Sequence, residues 1–490
     1  MDNSGSHAMV TQLEIGKSPY LAASSQATVV DSSIRLFRSS SVDKIEDTDD
    51  RQPLIDKQDK NSSIVSRSHT LLDRLALLLQ SSISNFLVCV ILSILGIVAW
   101  AATQWRTLSM DACPSSYQQE EENIHDEEIT TDETYYPKRY GYDCQVHRVL
   151  TEDGYILIMY RIGKKGSYQQ GKRAVLAMHG LLQCSGVFIT NEKESLAFAL
   201  ADQGYDVWLG NNRAVATQEH QYLSPNDPQY WDWGLKEIGV YDLSAMVDHI
   251  IHQTGQTKIA YIGHSQGAAQ GCIGLALRPE LAEKLSCFVA LAPGVFSGSL
   301  TRTFLLDRLI HLNEWTYHLI FGITEFCPVM APVRRLLPPD LFAYLCYCAF
   351  AYVFGWWDHH WIRRRKVKYF QFTARSVSTR LVRDWLDGWG KKGVCMYVDS
   401  VTTTTHVHEV PLAVFYGTKD YLVDGARFVQ MFETRSSSGN NTFLPMLQLT
   451  HVERIEGYEH MDAIWAKDNN LTTYPSLFKV LSAARWEQSH

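Results

Sequence analysis

Between Arg106 and Lys138 there is not one lysine or arginine, while nine carboxylates fall there: Asp111, Glu120, Glu121, Glu122, Asp126, Glu127, Glu128, Asp132 and Glu133. That stretch alone outweighs the formal net charge of −8, so the rest of the 490-residue chain is close to neutral. No basic stripe remains to follow a phosphate backbone, and nucleic acid is excluded as the expected partner. The ten cysteines include no C-x-x-C pair and no Cys/His spacing of a zinc site. Cys346 and Cys348, one residue apart, suit neither a zinc knuckle nor an easy mutual disulfide. The cysteines read mainly as buried thiols behaving as small hydrophobes. Bridges remain open if the domain lies outside the cytosol.

Charge is missing a second time. From Leu75 to Trp105 there is no Asp, Glu, Lys or Arg. A helix rises about 1.5 Å per residue, so roughly 20 apolar residues cross a hydrocarbon core of about 30 Å. Residues 83–105 meet that length, with Trp100 and Trp105 placed for an interfacial belt. The stretch begins too late for a secretory signal peptide. Lys57, Lys60, Arg67 and Arg74 precede it and only Arg106 follows closely. The charge bias predicts a cytosolic N-terminus, with the bulk of the chain across the membrane. Asn440-Asn441-Thr442 and Asn470-Leu471-Thr472 are glycosylation sequons available on that side. Residues 1–82, rich in Ser, Asp and Gln, predict a disordered tail. Residues 106–135 predict a solvated acidic linker, leaving 136–490 for a single large domain.

In that domain strands and helices alternate. Cys144–Leu150 and Tyr155–Tyr160 flank Thr151-Glu152-Asp153-Gly154, a hairpin signal with Asp-Gly at the turn. Apolar runs follow at Ala174–Met178, Asp206–Leu209, Ile259–Ile262, Cys287–Leu291, Leu412–Tyr416 and Met446–Val452. Helical stretches, among them Glu192–Gln203 and Val240–Gln253, separate several of these. The alternation predicts an α/β fold with a mainly parallel central sheet covered on both faces. No internal repeat is present.

The chemistry centres on Gly263-His264-Ser265-Gln266-Gly267, which follows the strand Ile259–Ile262 and opens a helix at Ala268-Ala269-Gln270. The glycines allow a tight strand-to-helix turn that lifts the Ser265 hydroxyl above the sheet. A serine hydroxyl needs an imidazole to take its proton, and in this fold the acid and then the histidine follow the serine in the chain. Asp420 lies just past the strand Leu412–Tyr416, with Asp424 as its rival. Of eighteen histidines, His460 sits on the loop after the last strand, whereas His451 lies inside that strand. Two backbone donors should face the oxygen that becomes negative. Gln266, directly after Ser265, supplies one; Leu181, on the loop His179-Gly180-Leu181-Leu182-Gln183, supplies the other, with Leu182 as the alternative.

Four ordered motifs carry a resemblance: His179–Gln183, Tyr205–Arg213, Gly263–Gly267 and Tyr458-Glu459-His460-Met461-Asp462. From about Tyr136 onward the chain resembles the acid lipase family, which includes gastric and lysosomal lipases and fungal steryl ester hydrolases. Its N-terminal apolar segment and the stretch Phe354–Trp389 look most like the fungal membrane-bound members. The resemblance implies an α/β-hydrolase that cleaves long-chain fatty acyl esters, steryl esters or acylglycerols, without metal or organic cofactor. It matches nucleophile, acid and base to Ser265, Asp420 and His460, and the oxyanion donors to Leu181 and Gln266. Ala214 stands where many members carry glycine. Cys346 and Cys348 do not reproduce the wider pair that bridges the cap of secreted animal lipases, so that disulfide is not expected.

The 155 residues between Ser265 and Asp420 exceed what the intervening strand–helix units need. An inserted helical cap over about 294–409 fills the difference. It is rich in aromatics from Leu341 to Trp357, which either line a lipid-binding cavity or form the cap's own core. Arg363-Arg364-Arg365-Lys366 reads as a solvated helix face or as a contact for anionic headgroups. The expected partners are the ester and a lipid bilayer or droplet surface. A triacylglycerol lipase or acyltransferase would share the same residues. A catalytically silent lipid-binding module is the reading from another class. The endoplasmic reticulum, the plasma membrane and the lipid droplet all fit as locations.

Overall fold

The expected strands extend beyond their apolar cores, because ladder pairing continues where hydrophobicity stops. The structure, a computed structural model, describes residues 71–109, 127–166, 172–390, 393, 408–438 and 444–486. Strand β1 covers Tyr142–Leu150, β2 Tyr155–Lys164, β3 Ala174–Met178, β4 Asp206–Gly210 and β5 Glu219–His220. Strand β6 covers Ile259–His264, β7 Leu285–Leu291, β8 Val410–Gly417 and β9 Leu447–Ile455. They form one sheet in the order β1-β2-β4-β3-β6-β7-β8-β9, with the short β5 pairing β2. The hairpin β1–β2 and the pair β2–β4 are antiparallel; from β4 to β9 every pairing is parallel. Strands β3, β4, β6 and β7 are buried along their whole length, as strands covered by helices on both faces must be. The expected α/β-hydrolase sheet is therefore present.

The expected helix Glu192–Gln203 divides into a short 3-10 turn at Glu192–Glu194 and an α-helix at Leu196–Asp202. The next, Val240–Gln253, is Leu243–Thr254 preceded by a π turn at Ile238–Asp242. That turn brings Asp242 to the buried guanidinium of Arg213, where Oδ1 and Oδ2 accept from the Arg213 side chain and backbone. Such turns mark places where a side chain contact overrides the regular ladder.

Between β7 and β8 the chain builds the cap from helices Phe304–Ile310, Glu314–Phe321, Met330–Leu336, Pro339–Phe354, Lys366–Gln371 and Thr379–Gly390. The aromatic stretch divides three ways. Phe342, Ala343, Cys346 and Tyr347 are cap core; Leu341, Tyr344, Leu345 and Tyr352 are exposed; Phe350, Phe354 and Trp356 reach the cavity above Ser265. The basic run is solvated at Arg363 and engaged with the protein over the next three residues. Arg364 and Arg365 pair with Glu192, and Lys366 pairs with Asp358. Cations this close to the core need carboxylate partners, because an unpaired buried charge is costly.

The same demand corrects the reading of the acidic linker at its end. Glu127 pairs with buried Lys368, and the buried Glu133 faces Tyr160 and Arg375. The linker is therefore docked at Glu127 and Glu133 instead of solvated there. Residues 110–126, the tail before Leu71 and the Asn440 sequon lie outside the described residues; Asn470 is exposed.

The apolar segment forms one continuous helix, Leu71–Ser109, longer than the expected 83–105. The leucine- and alanine-rich run Leu75–Leu79, made of strong helix formers, carries it into what reads from sequence as tail. Only 17% of its most apolar window is buried, whereas the core helix of a soluble protein would be mostly covered. The helix packs on the cap helices Glu314–Phe321 and Pro339–Phe354.

Candidate active site

At the end of β6 the backbone reverses so sharply that Ser265 takes φ 53° and ψ −111°, a conformation L-residues rarely adopt. The turn is held from several sides. Ser265 N–H donates to the carbonyl of Leu291, and the Ser265 carbonyl accepts from Ala268, Ala269 and Gly294. A Cβ at Gly263 would lie 2.6 Å from the Ala268 nitrogen, and one at Gly267 would lie 2.5 Å from the Met178 oxygen. Both glycines of the motif are needed because helix and neighbouring strand approach too closely for a side chain.

The structure brings together three residues read from the sequence. Ser265 Oγ lies 2.9 Å from His460 Nε2, and His460 Nδ1 lies 2.8 Å from Asp420 Oδ2. A carboxylate only accepts, so Nδ1 carries the imidazole proton and Nε2 is free to accept from the serine. Asp420 is oriented by the N–H groups of Leu422 and Val423, which both donate to its Oδ1. Its rival does something else: Asp424 Oδ1 accepts from Arg427 N–H and caps the helix Gly425–Ser438. His451 stays in β9, its Nε2 3.2 Å from Glu453.

Both expected oxyanion donors border Ser265. Leu181 and Leu182 line the cavity above it, and Gln266 is the first residue of the helix Gln266–Leu277. Among the described residues neither Leu181 nor Gln266 gives its backbone N–H to a protein acceptor. Leu182, the alternative donor, has φ 59° and its carbonyl accepts from Arg375 N–H. Gly180 sits so close to the nucleophile that a Cβ there would be 3.3 Å from the Ser265 Cβ.

Several further side chains, some of them inside the motifs or the cap, have roles that the sequence alone did not assign. Gln183 folds back so that its Oε1 accepts from Gly180 N–H, bracing the donor loop. Trp385, on the cap helix Thr379–Gly390, donates from Nε1 to Gln266 Oε1 at 2.8 Å. Trp356 stacks on the His460 ring, 5.8 Å between centroids and 18° from parallel. Beneath the turn, His264 Nε2 faces the His460 carbonyl, and burial, with His460 nearby, pulls its pKa down to about 3. Burial likewise lowers His179 to about 4, and its Nε2 accepts from Asn212 N–H. Both rings are neutral supports near neutral pH. Ala214, where resemblance expects glycine, is buried with φ 64°.

The cavity is narrow and largely apolar, walled by Leu181, Leu182, Phe350, Phe354, Trp356, Trp385, Trp389 and Leu422, with Ser265 and His460 at its floor. The row can pass a proton from a hydroxyl to an imidazole beside two open N–H donors, which is the geometry of acyl transfer. Among the described residues no three His, Cys, Asp or Glu side chains gather as a metal donor set. The described cysteines, Cys346 and Cys348 included, are free thiols.

Two family descriptions match the chain: a partial alpha/beta-hydrolase lipase region over residues 134–192 and the alpha/beta hydrolase fold over residues 173–321. Sterol esterase 2 of Saccharomyces cerevisiae is 30% identical over 390 residues, covering 70% of this chain and 70% of its own length. Gastric triacylglycerol lipase of Bos taurus is 32% identical over 366 residues, covering 70% of this chain and 89% of its own. Lysosomal acid lipase/cholesteryl ester hydrolase of Macaca fascicularis is 31% identical over 369 residues, covering 70% and 88%. The chain belongs to the acid lipase family of α/β-hydrolases and is a carboxylic ester hydrolase of the lipase and esterase class.

Proposed function

We propose that this enzyme hydrolyses long-chain steryl esters at a lipid surface, through an acyl-enzyme on Ser265. The observation that carries the reading is the unbroken row Ser265–His460–Asp420 beneath an aromatic cavity. The Ser265 hydroxyl attacks the ester carbonyl carbon while its proton passes to His460 Nε2. Asp420, accepting from Nδ1–H, stabilises the imidazolium and keeps the ring in the useful tautomer. The tetrahedral oxyanion is held by the N–H groups of Leu181 and Gln266. Its collapse breaks the bond between the acyl carbon and the sterol oxygen, and that departing oxygen takes the proton from His460. Water then attacks the acyl-serine, giving its proton to His460; collapse releases the fatty acid and returns the proton to Ser265. No metal or organic cofactor enters either half.

A sterol or acyl chain brings apolar surface to be buried, and the walls Phe350, Phe354, Trp356, Trp385 and Trp389 offer it without demanding polar partners. The names of the yeast and macaque relatives point to the same esters. Triacylglycerol is the second reading, favoured by the similarity to gastric triacylglycerol lipase. The helix Leu71–Ser109 supports a single-pass anchor that keeps the enzyme beside its insoluble substrate. The positive charges before it support a cytosolic N-terminus, in the endoplasmic reticulum, the plasma membrane or at a droplet.

A fluorophosphonate probe tests the chemistry: labelling at Ser265, absent in Ser265→Ala, is expected, and an unlabelled wild-type protein rejects it. Lipid profiling of cells lacking the protein tests the substrate. Accumulated steryl esters are expected; unchanged steryl esters with raised triacylglycerol transfer the assignment to the second reading.

A further inference from the structure

An arginine just beyond an apolar membrane helix ordinarily extends to phosphate headgroups. Arg106 instead turns onto the enzyme. Its guanidinium carbon lies 4.1 Å from the centre of the Trp357 ring, and its Nη2 donates to His359 Nε2 at 3.4 Å. With Nε2 accepting, the His359 proton sits on Nδ1, which faces Glu459 Oε1 at 3.5 Å. The other oxygen of Glu459 accepts the backbone N–H of Trp357 at 2.6 Å. Glu459 is 8% exposed and immediately precedes His460 in the chain.

The segment Trp356–His359 is thus gripped from two sides, by the end of the anchor helix and by the loop that carries His460. Between the grips, Trp356 roofs the cavity and stacks on the His460 ring. The remainder of the contact keeps the anchor end in place: Gln104 Nε2 donates to Tyr344 Oη at 2.8 Å, and Ala99 is fully buried. The bonds of His460 to Ser265 and Asp420 do not pass through this segment. Loosening it therefore shifts the roof over the acyl chain while leaving the proton path intact.

We propose that Arg106, acting through Trp357, His359 and Glu459, is a positioning residue that couples the seating of the anchor helix to the fit of long acyl esters under Trp356. The inference rests on the Ser265 mechanism and on the anchor proposed above, and its test separates the three. Full-length protein in phosphatidylcholine vesicles, isolated by flotation, is assayed with p-nitrophenyl butyrate and p-nitrophenyl palmitate as wild type, Arg106→Ala, Arg106→Lys and Ser265→Ala. A cation–π contact together with a hydrogen bond corresponds to roughly tenfold, so Arg106→Ala should raise the palmitate KM by about five- to tenfold. Its kcat, and the butyrate KM, should stay within about twofold, and Arg106→Lys should recover most of the palmitate KM, as a retained cation would. A palmitate KM that does not rise, or a butyrate KM that rises with it, overturns the coupling. Persisting turnover in Ser265→Ala overturns the mechanism instead, and wild-type protein that fails to float overturns the anchor.

Discussion

Two aspartates only four positions apart in the chain do entirely different work. Asp420 orients the His460 imidazole, whereas Asp424 caps a helix. Losing the acid's charge while keeping its shape typically costs about 10⁴ in kcat, because the imidazole takes the wrong tautomer. Asp420→Asn is therefore expected to lower kcat on p-nitrophenyl butyrate by about that factor. Asp424→Ala should leave kcat within a fewfold and cost about 1 kcal/mol in urea unfolding. A larger kcat loss at Asp424 than at Asp420 would reverse the roles. Ala214 offers a second measurement. The Arg213 guanidinium is pinned between Asp153 and Asp242, and the chain must then turn through positive φ at Ala214. An L-residue there costs about 1–2 kcal/mol, partly offset by the unfolded-state freedom that glycine brings. Ala214→Gly should raise the urea midpoint by the equivalent of about 0.5–1 kcal/mol without changing the m-value. Residues whose placement follows from their own segment were readable: Ser265 from its glycines, His460 from its loop, Asp420 from its strand tip. Trp385 and Glu459 were not, because each acts on a partner about a hundred residues away that no local pattern announces.

Among elements, the sheet was legible because fully buried parallel strands require continuous apolar runs, and β3 appears with the limits its sequence implies. The surplus of chain between Ser265 and Asp420 announced the helices between β7 and β8 but not their attachments, which are electrostatic. Glu192, at φ 56°, accepts from Arg364 and Arg365 at 2.8 Å each and from Lys368 at 3.2 Å. Burial works against its ionisation, but Arg365 and Lys368 outweigh it and hold the carboxyl below the ordinary glutamate range. A depressed carboxylate contributes stability above its unfolded pKa and loses it as pH falls through the folded value. Glu192→Gln imitates that loss at neutral pH. Removing one partner from a buried ion cluster costs about 3–5 kcal/mol, and the remaining Glu194 and Glu127 place this case at the lower end. The expected result is a lower melting temperature and faster proteolysis within residues 294–409. An unchanged cleavage pattern would show that apolar packing alone seats the cap.

At the scale of the whole molecule, the proposed anchor and the cap make competing demands. Ser84 Oγ donates to the Leu319 carbonyl near one end of the contact, and Gln104 binds Tyr344 near the other. Twenty residues of helix span about 30 Å, the full thickness of a hydrocarbon core. A helix that crosses upright would draw both cap contacts into lipid. The helix Pro339–Phe354 can follow beyond its exposed first-turn Asp340, since Leu341, Tyr344, Leu345 and Tyr352 face outward. The helix Glu314–Phe321 cannot follow cheaply, because Glu314 is exposed and a carboxylate at the bilayer centre costs at least about 2.5 kcal/mol. Crossing thus requires the Ser84 end to leave the cap while the Gln104 and Arg106 end stays docked beside the cavity. Ser84→Leu, which removes the hydrogen bond and adds apolar surface, should then leave vesicle retention undiminished and palmitate turnover within about twofold. In sealed membranes an N-terminal tag should be digested from the cytosolic side and the hydrolase domain protected. If Ser84→Leu instead lowers turnover, and tag and domain are digested from the same side, the helix lies along the cap on one lipid face and does not cross.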